Sequence, residues 1–400
     1  MLYFTKSKGD CTGCSACYSV CPVRCIEMKK DEEGFLYPTS SDECVHCEKC
    51  KKVCPIENPF GDSNNIIPQK AYCVLTKNKK IWKRSASGGA FSEICKAFGD
   101  DKTVICGAAW DGFEVKHTCV IGVNNIKSLC KSKYVASSAE EVFSEIKDKL
   151  NENKKVIFCG TPCQVAGLKG SLDKEYDNLL LIDLICHGVG SADVFKSCIT
   201  EIEEQFNKPI IAYEFRAKRS THQADYLSKV TFFDGSNKYI TNDQYIQLFL
   251  KQNCLRPSCG ENCRYRNEQR QGDITIADFK GLTEIFPNLK GSKRNYSSVI
   301  INTTKADSVV KKMLNHVKYF ECEIDDIKKY NPLFFRQTWA SKDRDAFFAD
   351  YLADKDLCIK KWTTKSTVSN ISIKRRIYDI APVFIRRLVL KEEGCKHCEK

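Results

Sequence analysis

Two cysteine runs near the start of the chain share one spacing: Cys11-Thr-Gly-Cys14-Ser-Ala-Cys17-Tyr-Ser-Val-Cys21-Pro22 and Cys44-Val-His-Cys47-Glu-Lys-Cys50-Lys-Lys-Val-Cys54-Pro55. In the pattern C-x2-C-x2-C-x3-C-P, three thiolates on one tight loop hold three corners of a cubane and the fourth reaches across to the other cluster. The spacing therefore predicts one [4Fe-4S] cluster on Cys11, Cys14, Cys17 and Cys54, and a second on Cys44, Cys47, Cys50 and Cys21. Their chemistry would be one-electron transfer. Structural zinc uses separated C-x2-C knuckles rather than this run, and a disulfide framework needs an oxidising compartment. Cys25, four residues after Cys21, is read as a bystander.

A second group of cysteines lies far along the chain. Val156-Ile-Phe-Cys159-Gly-Thr-Pro-Cys163-Gln-Val-Ala-Gly-Leu168 places Cys163 in the first turn of a helix, where the positive end of the dipole favours a thiolate. Asp183-Leu-Ile-Cys186-His-Gly188 puts Cys186 at the carboxyl end of a neighbouring strand, and in open α/β sheets such ends share one crevice. Cys163 and Cys186 should face each other. The run Cys254-Leu-Arg-Pro-Ser-Cys259-Gly-Glu-Asn-Cys263 can close the set from a loop, with Cys159 and Cys254 as reserves. Cys159-x3-Cys163 begins like the C-x3-C-x2-C of radical enzymes that use S-adenosylmethionine, but position 166 is Ala and the third iron ligand is absent. The alternative is that these cysteines are small core hydrophobes, as unpaired cysteines often are. That is the expectation for Cys73, Cys95, Cys106, Cys119, Cys130, Cys198, Cys322 and Cys358.

The elements that must position these residues need a large second core. The chain has 400 residues, 42% of them hydrophobic, far beyond what a two-cluster module of roughly sixty residues requires. Its first ten residues lack a signal peptide's apolar stretch, and no later segment approaches the ~18 apolar residues of a membrane span. A cytoplasmic protein is expected, and 25 cysteines in a reducing compartment point to metal ligation. The formal charge of +12 suits an anionic cofactor, an acidic substrate or an acidic redox partner. Lysines are spread along the chain and no nucleic-acid motif is present, so no nucleic-acid partner is expected.

The cluster module is assigned to residues 1–60, with a polar linker over Gly61–Pro68. A larger domain follows in two parts, 69–150 and 151–340, and residues 341–400 read as a peripheral helical tail. Strands are expected over Ala71–Thr76, Thr103–Ala109, Lys155–Cys159 and Leu179–Ile185. Helices are expected over Ser87–Phe98 behind a Ser N-cap, from a Ser138/Glu141 capping box to about Leu150, from Thr161 and Pro162, and over Ser191–Phe206. That alternation argues for a largely parallel sheet with covering helices. Later strands over Ile210–Phe215, Leu227–Phe233, Asp273–Phe279 and Ser298–Asn302 make the second half more mixed. In the tail, Ile371–Leu390 reads as a basic amphipathic helix interrupted by Pro382, docked on its own domain rather than on a membrane surface or partner, and Cys395-Lys-His-Cys398 resembles half of a zinc knuckle but as a lone pair makes a poor metal site. The fold class is α/β, α+β overall: a small ferredoxin-like domain followed by a larger mixed-sheet α/β domain.

Gly160-Thr-Pro-Cys-Gln-Val-Ala-Gly-Leu-Lys169, Asp183-Leu-Ile-Cys-His-Gly188, Leu255-Arg-Pro-Ser-Cys259 and Gly272-Asp-Ile-Thr-Ile-Ala-Asp-Phe279 resemble the coenzyme F420 hydrogenase/dehydrogenase beta-subunit family. The fused N-terminal dicluster ferredoxin resembles the family's bacterial branch. The resemblance, from about Cys11 to about Asn331, implies FAD and an inner [4Fe-4S] cluster, with Cys163, Cys186, Cys259 and Cys263 as its ligands. It also implies that Arg84-Ser-Ala-Ser87-Gly88-Gly89-Ala-Phe91 and Ser132-Lys133-Tyr134-Val-Ala-Ser137 face the flavin, so that Ser87, Gly88, Gly89, Lys133, Tyr134 and Ser137 bind it. Glycines at a helix start let backbone N–H groups approach a pyrophosphate. His187, beside Cys186, is the candidate to contact flavin or donate a proton, with orientation of the Cys186 loop as the equal alternative. The chain departs from the family in Lys280 within Ala277-Asp-Phe-Lys280-Gly281, in three residues between Cys259 and Cys263, and in Ser220-Thr-His222 after Arg216-Ala-Lys218.

Together these readings predict an iron–sulfur flavoprotein oxidoreductase. Clusters pass one electron at a time and hydride transfer needs two, so a flavin must join the two modes. The expected partners are an external one-electron carrier such as ferredoxin, or a redox partner enzyme, and a small-molecule or deazaflavin-like acceptor of electrons or hydride. The alternative function is a non-enzymatic electron-transfer subunit that docks a partner enzyme. A zinc-bound scaffold is the third reading.

Overall fold

The computed structural model describes residues 2, 7–59, 70–218, 226–260, 263–289, 292, 294–335 and 341–368. The linker over Gly61–Pro68, the Ser220–His222 segment, the Ile371–Leu390 helix and the Cys395/Cys398 pair lie outside the described residues.

A nine-stranded mixed sheet forms the centre of the large domain. In spatial order its strands are Val317–Cys322, Lys70–Thr76, Ser297–Ile301, Ile274–Asp278, Leu179–Leu184, Val156–Cys159, Val104–Asp111, Glu114–Ile121 and Ser137–Ser138. The four strands from Ile274–Asp278 to Val104–Asp111 pair in parallel, and antiparallel strands extend the sheet beyond both of these. The expected parallel succession is therefore the core of the sheet, and the sequence reading missed the strand Glu114–Ile121. Buried parallel strands read as continuous apolar runs, which describes Leu179-Leu-Leu-Ile182; all four residues are buried.

The helix Pro162–Ser171 begins where the sequence predicts it. Pro162 fits the first helical position because its missing N–H has no partner there anyway, and Gln164 Oε1 accepts the N–H of Thr161 at 3.0 Å. Ser191 likewise caps Ala192–Phe206 by accepting from Val194 N at 3.2 Å. Two expected caps are corrected. Ser87 does not cap its helix, which starts at Ala90 after Gly89 at φ 98°, because the Ser87 hydroxyl is bonded to the Tyr296 carbonyl at 2.5 Å. The Ser138 hydroxyl turns to Glu140 at 2.7 Å, and the next helix begins only at Val142.

A four-stranded antiparallel sheet, in the order Thr367–Val368, Asn237–Thr241, Ser228–Phe232 and Ile210–Glu214, packs behind an aromatic core. Trp110, Phe195, Tyr213, Phe215 and Tyr245 stack or meet edge-on there. The helices Arg344–Ala353 and Lys355–Trp362 join the same core through Phe347, Phe348, Tyr351 and Ile359. The start of the expected peripheral tail is thus integral to the domain, since three large aromatics on one helix must be buried.

The register of the strands Val104–Asp111 and Glu114–Ile121 sets Cys106 directly opposite Cys119, and the two form a disulfide. This corrects the expectation that both are unpaired core hydrophobes. Cross-strand neighbours on one face lie within reach of each other, and here the Cα atoms are 4.1 Å apart.

The cluster module docks on the large domain through polar contacts. Arg344 grips the Glu33 carboxylate at 3.2 and 2.5 Å, Tyr18 donates to Glu141 at 2.7 Å, and Arg264 donates to the Ile56 carbonyl at 2.7 Å. Lys30 adds ion pairs to Glu114 and Asp193.

Candidate functional site

Four cavities lie in series, and adjacent ones share wall residues. Cys21, Cys44, Cys47 and Cys50 line the first of them, together with Cys25 and Leu2. Cys11, Cys14, Cys17 and Cys54 line the second, and Leu2 belongs to both walls. These are the two ligand sets that the C-P spacing predicts. Cys25 is closer than a bystander would be, with its Sγ 3.5 Å from that of Cys21.

The third cavity, of about 210 Å³, is lined by Cys163, Cys186, Cys259 and Cys263. Thr12 and Gly13 of the ferredoxin loop line both this inner cavity and the one before it. Cys163 comes from the helix Pro162–Ser171, Cys186 follows the strand Leu179–Leu184, and Cys259 ends a short turn over Pro257–Cys259. The two reserve residues sit elsewhere. Cys254 is fully buried in the aromatic core, and Cys159 faces the fourth cavity.

The residues of the three cysteine-lined cavities suit cubanes. Four thiols, the donor set of a [4Fe-4S] cluster, surround each space. Among the described residues no three His, Cys, Asp or Glu side chains gather tightly enough to hold a single metal ion. Burial pushes the Cys14 and Cys186 thiols up to about 12, and a metal cation supplies the positive charge that returns such groups to thiolates. Close packing leaves no room for larger residues: a Cβ on Gly188 would meet Leu255 at 2.8 Å and Cys259 at 3.2 Å. Arg266, buried, also lines the inner cavity and donates to the His187 carbonyl at 2.5 Å.

The strand end that carries Cys186 is fixed by a buried ion pair. Asp183 has no exposed side-chain surface and lies 3.2 Å from Arg270. Its carboxylate also accepts from Thr275 Oγ1, Gln271 N and Gly272 N. Gly272 must be glycine, since a Cβ there would stand 2.6 Å from Asp183 N. Two of the sequence motifs are thereby one structural unit.

The fourth cavity is the largest, about 340 Å³. Ser137, Thr161, Gln164, Cys186, Gly188 and Val189 line it and the inner cavity alike. Of the sequence-predicted cofactor residues, Ser87, Gly89, Lys133, Tyr134 and Ser137 line this cavity. Gly88 turns away: its N–H is bonded to Ser297 Oγ at 2.9 Å, and a Cβ on it would collide with the Val74 carbonyl oxygen. Lys133 Nζ donates to the Cys130 carbonyl at 2.9 Å, and burial draws its pKa down to about 8. Tyr134 Oη accepts from Arg216 at 3.3 Å, and Ser137 Oγ accepts from Gln164 at 3.0 Å. His187 lines the cavity with its Nε2 against the Phe249 carbonyl at 3.2 Å, and burial lowers its pKa, so the ring is neutral near pH 7 and donates there.

His117 and Arg216, neither of them assigned to the site from sequence, complete this wall. His117 is buried, stacks on Phe158 at 5.3 Å, and is drawn down to about 4 by burial. Arg216, at φ 55°, pairs with Asp278 at 2.6 Å. Gln164 lies inside the Thr-Pro-Cys-Gln motif, so its capping role was within reach of sequence; His117 sits on an unpredicted strand and gave no signal.

Residues 153–329 match the family model for the C-terminal region of the coenzyme F420 hydrogenase/dehydrogenase beta subunit, and residues 10–58 match a 4Fe-4S dicluster domain. No curated protein matches the chain. Among solved structures, a chain of the F420-reducing [NiFe] hydrogenase complex from Methanosarcina barkeri is 15% identical, with 74% of this chain and 91% of that chain covered at a TM-score of 0.44.

Proposed function

From a chain that belongs to the F420 hydrogenase beta-subunit family and carries an N-terminal 4Fe-4S dicluster domain, we infer an iron–sulfur flavoprotein oxidoreductase that acts on a small-molecule or deazaflavin-like acceptor. The observation that carries this reading is the series of four cavities with shared walls. Bound clusters would supply one-electron steps and FAD the conversion to a two-electron step.

The chain's own residues divide the work along that series. Cys47 is exposed, with Val45 nearby 59% exposed, so the outermost cavity lies where an external carrier can approach. Cys11, Cys14, Cys17 and Cys54 would hold the next cluster, and Cys163, Cys186, Cys259 and Cys263 the inner one. Cys186 belongs to the wall of both inner and large cavities, so it would be the ligand nearest the flavin. Gln164, held by Thr161 and Ser137, stands in the wall that the inner and large cavities share. Ser87, Gly89 and Lys133 would position the flavin, and His187 would orient the loop after Cys186 through its bond to Phe249.

No helix of the described residues is long and apolar enough to cross a membrane. A cytoplasmic location, with a ferredoxin-type carrier or a partner enzyme as electron donor, completes the proposal. Anaerobic purification tests it: about twelve iron atoms and one flavin per chain are expected from three cubanes and FAD. Cys163→Ser and Cys186→Ser should each remove one electron-spin-resonance signal while two persist. Full iron without flavin would overturn the flavoprotein reading. Turnover of a small molecule by the isolated chain separates an enzyme from a purely electron-transferring subunit.

A further inference from the structure

Arg256 stands between two of the cysteine-lined cavities. It is 3% exposed, yet among the described residues no carboxylate lies within ion-pair distance of it. Its Nε donates to the Cys11 carbonyl at 2.9 Å and one Nη to the Leu36 carbonyl at 2.9 Å, the latter Nη also lying 3.8 Å from Cys11 Sγ. The guanidinium lies over the Tyr37 ring at 4.1 Å. The same residue lines the inner cavity and opens the turn that carries Cys259, whose N–H bonds the Arg256 carbonyl at 2.9 Å. Gly13, in the wall between the cavities, must be small: a Cβ there would sit 2.8 Å from the guanidinium.

A buried cation is costly unless an opposite charge or metal centre compensates it. The carbonyls and the ring around Arg256 are only dipolar. Among the described residues in contact with it, Cys11 is the one that as a thiolate carries full negative charge, and a cubane held by four thiolates gains a further negative charge when it takes up an electron. Positive charge and N–H bonds to sulfur stabilise that reduced state and raise the potential.

We propose that Arg256 is a positioning and tuning residue. It is the shared cation that raises the potentials of the Cys11/Cys14/Cys17/Cys54 cluster and the inner cluster, and so sets the energy of the step across the domain joint. This rests on the relay proposed above. The outermost cluster, bounded by Cys21, Cys44, Cys47 and Cys50, lies beyond the reach of its contacts.

The test is a redox titration of the full chain, purified anaerobically and followed by electron-spin resonance. In Arg256→Gln, the potentials of the Cys11/Cys14/Cys17/Cys54 cluster and the inner cluster should fall and that of the outermost cluster should stay. Arg256→Lys, which keeps the charge, should fall less than Arg256→Gln. Should Arg256→Gln lose iron, Arg256→Met, which fills the slot against Tyr37 without charge, replaces it. Unchanged potentials in an iron-replete neutral variant overturn the proposal, as does an Arg256→Lys shift equal to the neutral one. Failure of the relay itself looks different, because the unmodified chain would then lack the three signals.

Discussion

A methyl group added to Gly167 would stand 2.8 Å from the sulfur of Cys14. Gly167 belongs to the helix that carries Cys163, and Cys14 to the ferredoxin loop, so one helix lies against two of the cysteine-lined cavities. Overpacking of a dense site costs about 1–3 kcal/mol. Gly167→Ala should therefore weaken or broaden the signal of the Cys11/Cys14/Cys17/Cys54 cluster and leave the outermost one unchanged. Electron-spin resonance with iron analysis reads this; an unaltered spectrum at full stability would contradict the packing.

Breaking a buried ion pair by removing one partner leaves an uncompensated charge and costs about 3–5 kcal/mol. Asp183→Asn should destabilise the chain by that order, and Asp183→Asn with Arg270→Met together by less than Asp183→Asn alone. Denaturant unfolding in the presence of iron checks it. A single variant as stable as the parent would remove Asp183 as the anchor of the Cys186 strand.

His117 gives a dependence on pH with a defined sign. Burial lowers its folded-state pKa from 6.5 to about 4, so between those values the unfolded chain binds more protons and stability falls as pH falls. From pH 6.5 to 5 the loss is about 2 kcal/mol. Above about pH 7.5 the ring is neutral in both states and contributes no pH dependence. His117→Phe, which retains a ring against Phe158, should flatten this part of the stability curve while matching the parent's slope above about pH 7.5. Thermal midpoints at pH 5 and 7.5 decide it.

The Cys106–Cys119 bridge closes a short loop across two strands, which on chain-entropy grounds is worth about 3 kcal/mol. A thiol reductant should lower the thermal midpoint of the parent and leave that of Cys106→Ala/Cys119→Ala unmoved. Equal sensitivity of both would place the effect on the clusters instead.

The grouping of the cysteines was legible because fixed spacing on one loop holds them together, and both C-P runs line the cavities their spacing predicts. Cys163 and Cys186 could be brought together from the topology of parallel strands. The fourth cavity's wall was harder. Gly88 has the residue type for phosphate contact, but its N–H belongs to Ser297, more than two hundred residues away in sequence. Arg256 stood within a motif without a role, since only the docked module shows what surrounds it. The Cys106–Cys119 pair depended on an antiparallel register that alternating strand and helix patterns do not specify.

Thr12 and Gly13 wall both a ferredoxin cavity and the inner one. A module that shares cavity walls with the large domain needs no swing between a charging and a discharging position. Internal electron passage from module to large domain should then be indifferent to solvent viscosity, and glycerol should slow only the arrival of the external donor.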